Sequence, residues 1–202
     1  MRTADLTPNF VGQRAAILHR PHAVVDAIVR QLEQLGIRST LCWPELAPDA
    51  ATAPADLLFF DADMGHDGQF PWPAGTAPMP TIALIGSEAP GRLAWALRQG
   101  ADAHLLKPVG SGGIYAALVI ATSAFRQRTA LQADLAGLRD QLAGRQVVAE
   151  ATAQLMAAGA GTASVAYDIL RQMAMSQRVT IEIMAARLVH QEGEHNDRRS
   201  RA

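Results

Sequence analysis

Short apolar segments alternate with helix-forming segments over the first 125 residues, and this alternation limits the fold more than any other feature of the sequence. Five segments have the length and apolar content of buried strands. They are RAAILH, RSTLCW, DLLFFDAD, TIALIG and AHLL. Amphipathic helical segments that end at Gly36 and Gly100 follow the first and the fourth of them. We interpret the pattern as five β-α units, which predict a flavodoxin-like, five-stranded parallel sheet covered by helices on both faces, with an irregular third crossover at the proline-rich stretch 71–80.

A long helix is predicted next, because residues 113–158 contain hardly a helix breaker. Within it, leucines recur at intervals of four and three residues, the spacing of a coiled-coil seam. They are Leu131, Leu135, Leu138 and Leu142. We expect these leucines to form a homodimer through a stalk at 126–143, although Arg128 interrupts the apolar pattern. The alternative is a single amphipathic helix packed on its own domain.

A small helical head is predicted at 144–190, with its first helix continuous with the stalk. The segment GAGTAS at 159–164 predicts a loop, and Ser164 and Thr180 are expected to be the N-caps of two further helices. Large apolar residues are expected to form its core: Leu155, Met156, Leu170, Met173, Met175, Ile181, Ile183 and Leu188. The polar residues 191–202 predict a disordered tail.

Composition excludes several classes of protein and favours none strongly. The net charge is −1, and residues 126–202, with 8 acidic and 10 basic residues, are only slightly basic. The basic residues of this part are all arginine, which suits contacts with phosphates and base edges. Cys42 is the only cysteine, and no stretch reaches the roughly 18 apolar residues of a membrane span, so we expect a cytoplasmic protein. The histidines lack metal spacing, and no nucleotide or nucleophile motif occurs, so we expect no metal, no cofactor and no enzyme.

The order of elements in residues 1–125, with Asp61 and Lys107-Pro108, resembles a response-regulator receiver domain. In that family an aspartate at the end of the third strand accepts a phosphoryl group, and a lysine at the end of the fifth strand pairs with it. Asp61 follows the apolar LLFF segment, and Lys107 is the only lysine in the chain. The resemblance implies that these two residues stand at the phosphoacceptor site.

Two features of an active receiver are missing. Receivers hold Mg²⁺ with acidic residues just past the first strand, but here the strand leads into His19 and Arg20, and a cationic arginine would repel the metal. Ile85 stands where the family has a hydroxyl, and without the metal the charge on a transferring phosphoryl group is poorly stabilised. We therefore predict a pseudo-receiver that is not phosphorylated. Its degenerate phosphoacceptor site is a remnant charge cluster of Asp61, Asp63 and Lys107.

The most specific pattern lies in residues 144–189, which resemble an ANTAR domain, the RNA-binding head of AmiR/NasT-type antiterminators. The matching residues are Arg145, Ala151, Leu155, Met156, Ala166, Tyr167, Leu170, Arg171, Ala174, Met175, Arg178, Ala185 and Val189. The sequence departs from the pattern at Thr152 and Ala153, where Lys-Gly is usual. The loss of that lysine removes one candidate phosphate contact.

The resemblance implies a transcription antitermination regulator that binds stem-loops in a nascent leader RNA. The N-terminal half, including the Cys-Trp-Pro after the second strand, is similar to the amidase-operon regulators of this family. Their resemblance implies a ligand-sensing negative regulator of periplasmic-binding-protein fold as partner. The expected RNA-binding residues are Arg145, Tyr167, Arg171 and Arg178, and Arg171 and Arg178 are expected to share one helix face because they are seven residues apart.

Two other functions stay open at this point. One is a response regulator that phosphorylation controls, which the missing metal-binding acids oppose. The other is a protein-interaction module without RNA binding, which the near-neutral charge and Thr152 favour.

Overall fold

The computed structural model describes residues 8–46, 55–110 and 112–200 of the 202-residue chain. The chain divides into two compact units, residues 1–130 and residues 131–202. The first unit is an α/β domain, and the second is entirely helical within its described part. No described helix combines the length and the apolar character that crossing a membrane requires.

The first unit is built on a five-stranded parallel sheet with the order β2-β1-β3-β4-β5, which confirms the predicted flavodoxin-like fold. The strands are β1 (Arg14–Leu18), β2 (Arg38–Cys42), β3 (Leu57–Asp61), β4 (Thr81–Ile85) and β5 (Ala103–Leu106). Every residue of β3 and β4 is buried, as expected for strands with both faces covered. The edge strand β2 is largely exposed.

One face of the sheet packs against two helices. They are α1 (Ala23–Gln34) and the first turns of α3 (Ile114–Leu155). Ile28 and Leu32 of α1 and Leu118 of α3 are completely buried against the sheet. Apolar residues at helical spacing give both helices the apolar stripe that this packing needs.

The other face of the sheet is covered mainly by aromatic side chains, with one helix, α2 (Pro90–Arg98). The described part of the β3–β4 connection contains only a 3-10 turn at Asp67–Gln69, as the proline-rich stretch predicts. Between β2 and β3 the structure describes only residues 43–46 and 55–56, so the helix that five β-α units require there lies outside the described residues. A ring cluster covers part of this face, formed by Phe60, Phe70, Trp72 and Trp95.

The second unit contains the end of α3 and two further helices, α4 (Ala163–Ser176) and α5 (Ile181–Ser200), which confirms the predicted three-helix head. A single π turn and Gly159, with φ 105°, separate α3 from α4. Thr162, rather than Ser164, is the N-cap of α4, because its backbone is extended and its Oγ1 accepts the Val165 N–H at 3.4 Å.

The two ends of α5 test the predicted N-cap at Thr180 and the predicted disordered tail at 191–202. Thr180 caps the start of α5 as predicted, since its Oγ1 accepts the Ile183 N–H at 3.4 Å. The helix then continues to Ser200, so the predicted disordered tail at 191–202 is wrong for its described part. Glutamate, glutamine and arginine have good helix propensities, and Gly193 alone does not stop the helix.

The core of the head consists largely of alanines. The buried residues are Ala151, Leu170, Ala174, Met184 and Ala185. Alanine at these contacts lets helix backbones approach closely without a cavity. The predicted core is confirmed at Leu170, and four other predicted residues pack against it: Leu155, Met173, Ile181 and Leu188. The prediction is wrong at Met156, Met175 and Ile183, which are 39%, 66% and 46% exposed.

Arg128 occupies the position where the leucine spacing of α3 requires an apolar residue, and the structure explains its presence. Its guanidinium Nη2 lies 3.4 Å from Asp102 Oδ2, and its Nη1 donates to the Gly100 carbonyl at 3.3 Å. The Asp102 side chain is only 4% exposed and also accepts the Thr81 N–H at 3.0 Å. Burial raises the pKa of Asp102, and the hydrogen bonds from Thr81 and the charge of Arg128 only partly oppose it. The arginine thus stabilises a buried carboxylate.

We expect Arg128→Ala to lower the free energy of unfolding by about 2 kcal/mol at neutral pH, because it leaves the Asp102 charge buried without a cation. The pKa of Asp102 is higher in the folded protein than in the unfolded chain. Its contribution to the free energy of unfolding therefore falls as pH rises from the unfolded pKa to the folded pKa. Loss of Arg128 raises the folded pKa of Asp102 further, so the deficit should shrink as pH falls from neutral towards about 4. Urea denaturation over a pH series measures this. An equal loss in Arg126→Ala, at an exposed position of the same helix, would contradict the explanation.

Candidate functional site

Charged and polar side chains meet at the carboxyl edge of the sheet. His19 follows β1, Asp61 ends β3, Asp63 lies two residues further on, and Lys107 follows β5. We call these four residues the edge cluster. The carboxyl edge is where open parallel sheets place their ligand sites.

Lys107 links the two carboxylates of the edge cluster. Its Nζ donates to Asp61 Oδ1 at 2.8 Å and also forms an ion pair with Asp63 Oδ2. The Asp61 side chain is 2% exposed, and its Oδ1 accepts the Asp63 N–H at 2.9 Å as well. The structure therefore brings together all three residues that the sequence places in the remnant cluster. Hydrogen bonds to an ammonium group are stronger than those between neutral groups, so Lys107 holds the buried carboxylate firmly.

His19 faces the other oxygen of Asp61. Its Nδ1 lies 2.6 Å from the Arg20 carbonyl, to which it can only donate, and its Nε2 lies 3.3 Å from Asp61 Oδ2 without a well-directed hydrogen bond. The His19 side chain is only 3% exposed, so it covers this side of the Asp61 carboxylate. The Arg20 side chain is exposed. His19 rather than Arg20 therefore lies at the position after β1 where an active receiver has its metal-binding acids. Mg²⁺ prefers oxygen ligands, so this site does not fit the metal of an active receiver.

Asp63 is held by backbone amides as well as by Lys107. Its Oδ2 accepts the Gly86 N–H at 2.8 Å, and its Oδ1 accepts the Ser87 N–H at 2.9 Å. Burial raises the pKa of Asp63, but the hydrogen bonds from Lys107, Ser87 and Gly86 and the lysine charge together outweigh it, so the pKa lies below its ordinary value. A Cβ on Gly86 would lie 2.7 Å from Asp63 Oδ2, so only glycine allows this approach.

The end of β4 offers Asp61 no hydroxyl. Ile85 is buried, and the Ser87 Oγ accepts the Ala89 N–H at 3.4 Å. Ser87 contributes its backbone N–H to the edge cluster instead. The serine therefore does not replace the missing hydroxyl of the family.

An open groove of about 900 Å³ lies on the helical head. The residues along it are Asp140, Gln141, Gly144, Arg145, Val148, Ala149, Thr152, Ala153, Met156, Ala163, Tyr167, Ile181 and Glu182. Two of the expected RNA-binding residues, Arg145 and Tyr167, share this head groove. Tyr167 is 44% exposed and Met156 39%, so an aromatic ring and a flexible thioether are accessible there.

The charge of the head groove is mixed. Arg145 lies with Asp140 and Glu182, and Thr152 stands where the ANTAR pattern has a lysine. The Thr152 hydroxyl donates to the Val148 carbonyl at 2.7 Å, so it is engaged with its own helix. Hydrogen bonds from its own N–H and from the Thr180 hydroxyl lower the pKa of Glu182, which keeps it anionic. The groove therefore lacks a strong general attraction for phosphates.

Arg171 and Arg178 are exposed, and neither is among the residues along the head groove. Arg171 lies one turn beyond Tyr167 on α4, on the same side of the helix. The prediction that Arg178 shares a helix face with Arg171 is wrong, because α4 ends at Ser176.

Arg178 instead adopts the left-handed conformation that closes α4, with φ 55°. The Val179 N–H donates to the Ala174 carbonyl at 3.0 Å, the bond expected where a residue past the helix end turns left-handed. Glycine usually occupies such a position, since a side chain there costs about 1 kcal/mol. A strained arginine in place of glycine is a candidate functional residue.

The leucine stripe of the stalk is exposed along its whole length in the single chain. Leu131, Leu135, Leu138 and Leu142 are 64%, 53%, 56% and 63% exposed. Their spacing puts them on one side of α3, where they form a continuous apolar strip. An unburied strip of this kind is typical of an interaction surface.

Three features of these sites lie beyond what sequence reasoning predicts. The sequence indicates His19 only as a missing acid, although a histidine directly after a buried strand can itself be a cation. It places Asp63 in the cluster without its amide contacts, since these depend on the loop after β4. It predicts Met156 in the core because apolar residues usually lie there.

Comparison with known proteins agrees with both units. Residues 13–122 match the AmiR N-terminal domain, and residues 136–189 match the ANTAR domain. The chain is 26% identical over 179 residues to the aliphatic amidase regulator of Pseudomonas aeruginosa, covering 87% of this chain and 90% of that one. It is 33% identical over 86 residues to the transcriptional regulatory protein PdtaR of Mycobacterium tuberculosis, covering 43% and 42%.

A solved structure of full-length FixJ from B. japonicum has 17% identity and a TM-score of 0.40, with 89% of each chain covered. The match to the AmiR N-terminal domain alone spans more than half of the chain, and the ANTAR match follows it. The chain therefore belongs to the AmiR family of ANTAR-domain antitermination regulators.

Proposed function

We propose that this protein is an RNA-binding regulator that prevents transcription termination by binding stem-loops in a nascent leader transcript. The observation that carries the proposal is the ANTAR match at 136–189, which includes Arg145 and Tyr167 of the head groove. The relative from Pseudomonas aeruginosa is an aliphatic amidase regulator, which supports a role in operon control. Such a role places the protein in the cytoplasm, where leader transcripts are made.

The head groove has the chemistry to hold an unpaired loop base. The exposed ring of Tyr167 can stack on a base, Met156 can pack beside it, and Arg145 can contact a phosphate or a base edge. Asp140 and Glu182 weaken the attraction for ordinary duplex phosphates. We therefore assign the groove to loop recognition, with Arg171 and Arg178 as flanking phosphate contacts.

The leucine stripe supports a homodimer. Burying four leucines against a second copy removes a large apolar area from water, at roughly 1.5–3 kcal/mol per side chain. Two chains joined at residues 126–143 would carry two heads, each of residues 144–190. Two heads can engage two loops of one transcript, and such linkage raises affinity without new contacts.

Control by a partner protein fits the edge cluster better than control by a kinase. His19 lies where an active receiver binds its metal, and Asp63 lies where an active receiver needs space for the phosphoryl group. We assign the receiver-like domain, residues 1–125, to docking of a ligand-sensing partner of periplasmic-binding-protein fold that holds the regulator inactive. Release of the regulator on ligand binding would then start antitermination.

A protein-interaction role without RNA is the second candidate, and a specific observation favours it. The head groove contains two acids and one arginine, and Thr152 replaces the lysine of the ANTAR pattern. Control by phosphorylation has weaker support, because the edge cluster does not fit Mg²⁺. Phosphorylation, oligomeric state and RNA affinity together separate the three possibilities.

We expect no phosphorylation of Asp61. Incubation with acetyl phosphate and Mg²⁺ should leave the intact mass of the protein unchanged, because His19 and Asp63 block the metal and phosphoryl positions. An unrelated active receiver treated in parallel serves as the positive control. Stoichiometric addition of a phosphoryl group at Asp61 would refute the pseudo-receiver assignment.

We expect replacement of Leu135 and Leu138 with glutamate to convert the dimer into a monomer, since like charges would face each other across the seam. Sedimentation equilibrium measures the change. The matched control replaces Ala133 and Ala136, which are exposed and off the stripe, with glutamate and should remain dimeric. Persistence of the dimer in the leucine variant would show that another surface joins the chains.

We expect Tyr167→Ala to weaken binding of the leader RNA from the neighbouring operon by about tenfold or more, in line with the 1–3 kcal/mol of base stacking. Arg145→Ala should weaken binding and lower the slope of log affinity against log salt by about one. Arg187→Ala, which loses only a hydrogen bond to Gln177, is the control and should bind normally. Titrations at several salt concentrations measure these effects.

Arg178→Gly separates a structural from an RNA-contacting role at the helix end. Glycine relieves the left-handed strain, so the variant should gain about 1 kcal/mol in stability. If Arg178 contacts RNA, the same variant binds more weakly although it is more stable. Unchanged affinity in Tyr167→Ala, Arg145→Ala and Arg178→Gly alike would favour the interaction module over the RNA-binding regulator.

A further inference from the structure

The Asp63 carboxylate lies in an oxyanion site made by the protein itself. Two backbone N–H groups, from Gly86 and Ser87, donate to its two oxygens at 2.8 and 2.9 Å, and the Lys107 ammonium pairs with Oδ2. Backbone amides combined with a cation form a site that is selective for anionic oxygens. The side chain is 22% exposed, so the site is open to solvent on one side.

The oxyanion site coincides with the place where a receiver would hold its phosphoryl group. It lies at the end of β4 and beside Lys107, and the Asp63 N–H donates to Asp61 Oδ1 at 2.9 Å. In the receiver resemblance, a phosphoryl group on Asp61 would have to lie between the end of the fourth strand and Lys107. The Asp63 carboxylate occupies that space. Gly86 has no side chain to keep it out, since a Cβ there would be 2.7 Å from Asp63 Oδ2.

We propose that Asp63 is a permanent internal substitute for a phosphoryl group, filling the oxyanion site of Gly86, Ser87 and Lys107 and fixing the turn between β4 and α2. The site is a latent binding site for an inorganic oxyanion, which the protein occupies with its own carboxylate. The turn between β4 and α2 is thereby held in one conformation.

The opposite side of Asp61 completes the arrangement. His19 Nε2 lies 3.3 Å from Asp61 Oδ2, on the oxygen that Lys107 does not use. Lys107 and His19 therefore each face one oxygen of Asp61, and Asp63 is the second carboxylate that Lys107 contacts. The protein thus supplies from its own side chain the anion that an active receiver takes from solution.

This inference rests on the proposed function in one respect: both require that Asp61 is not phosphorylated. It predicts an effect at backbone amides, which RNA binding does not influence. An experiment that contradicts the oxyanion site can therefore be distinguished from one that contradicts RNA binding.

The test is amide NMR and hydrogen exchange on the full-length protein and its Asp63→Ala variant, with inorganic phosphate as the probe. In Asp63→Ala, the Gly86 and Ser87 amides should exchange faster than in the wild type. Adding phosphate should shift both signals saturably, with a dissociation constant on the order of millimolar, and slow their exchange again. The wild type should show no saturable shift at these amides.

Three further variants test the interpretation. Asp63→Asn keeps the size of the side chain without its charge and provides the same measurement if Asp63→Ala does not fold. Adding Lys107→Met to Asp63→Ala should weaken the phosphate response at least tenfold. Asp56→Ala removes an exposed acid at the opposite edge of the sheet and should leave the Gly86 and Ser87 amides unchanged.

The proposal is overturned if the Gly86 and Ser87 amides exchange at the wild-type rate in both Asp63 variants, since the carboxylate then does not hold the turn. It is also overturned if phosphate shifts these amides equally in the wild type, since the site is then not occupied from within. RNA binding by the Asp63 variants is measured in parallel. Its loss or retention bears on the proposed function and does not decide the oxyanion site.

Discussion

The structure depends on neutralising one carboxylate at the end of a fully buried strand. Asp61 ends β3, every residue of which is buried, and its side chain is 2% exposed. An unpaired charge in such a place costs several kcal/mol, so the elements around it must bring counter-charges. Lys107 after β5 does so at 2.8 Å, and His19 after β1 lies 3.3 Å from the other oxygen, so the ends of three strands meet at one residue. The arrangement of the carboxyl edge follows from this requirement rather than from any ligand.

The helical head follows a different principle, since alanines at its centre let the helices approach, and larger residues such as Leu170 and Met184 complete the core. Ala151, Ala174 and Ala185 let three helices approach, while Met156 and Tyr167 are left at the head groove. A groove with exposed apolar and aromatic groups and mixed charge discriminates by fit rather than by net attraction. The strip of leucines on the stalk adds an apolar surface that one chain leaves uncovered.

The sheet could be predicted from the sequence because each strand is a short apolar run, and buried parallel strands have no other way to satisfy both faces. The helix end at Arg178 could not, because its closure relies on an arginine at a left-handed position that glycine normally occupies. A prediction from apolar periodicity alone continues α4 to Arg178, beyond its observed end at Ser176. The contacts of Asp63 could not be predicted from the sequence either. They join Asp63 to Gly86 and Ser87, which are 23 and 24 positions away, and no local sequence pattern determines the path of the loop that brings them together. In the head core, Leu170 is buried as predicted. The prediction fails at Met156, Met175 and Ile183, because apolar character alone does not show which face of a helix meets its neighbours.

The closeness of Gly86 to Asp63 has a consequence for classifying related proteins. An aspartate two residues after the end of the third strand, a glycine directly after the fourth and a lysine directly after the fifth can be recognised in a sequence without a structure. Where all three occur together and the acids after the first strand are absent, the pattern marks a domain that carries its own counter-ion. Where the glycine is replaced, a Cβ would lie too close to the carboxylate oxygen, so the aspartate cannot make this contact. One methyl group at this position therefore decides whether a receiver-like domain can carry its own counter-ion.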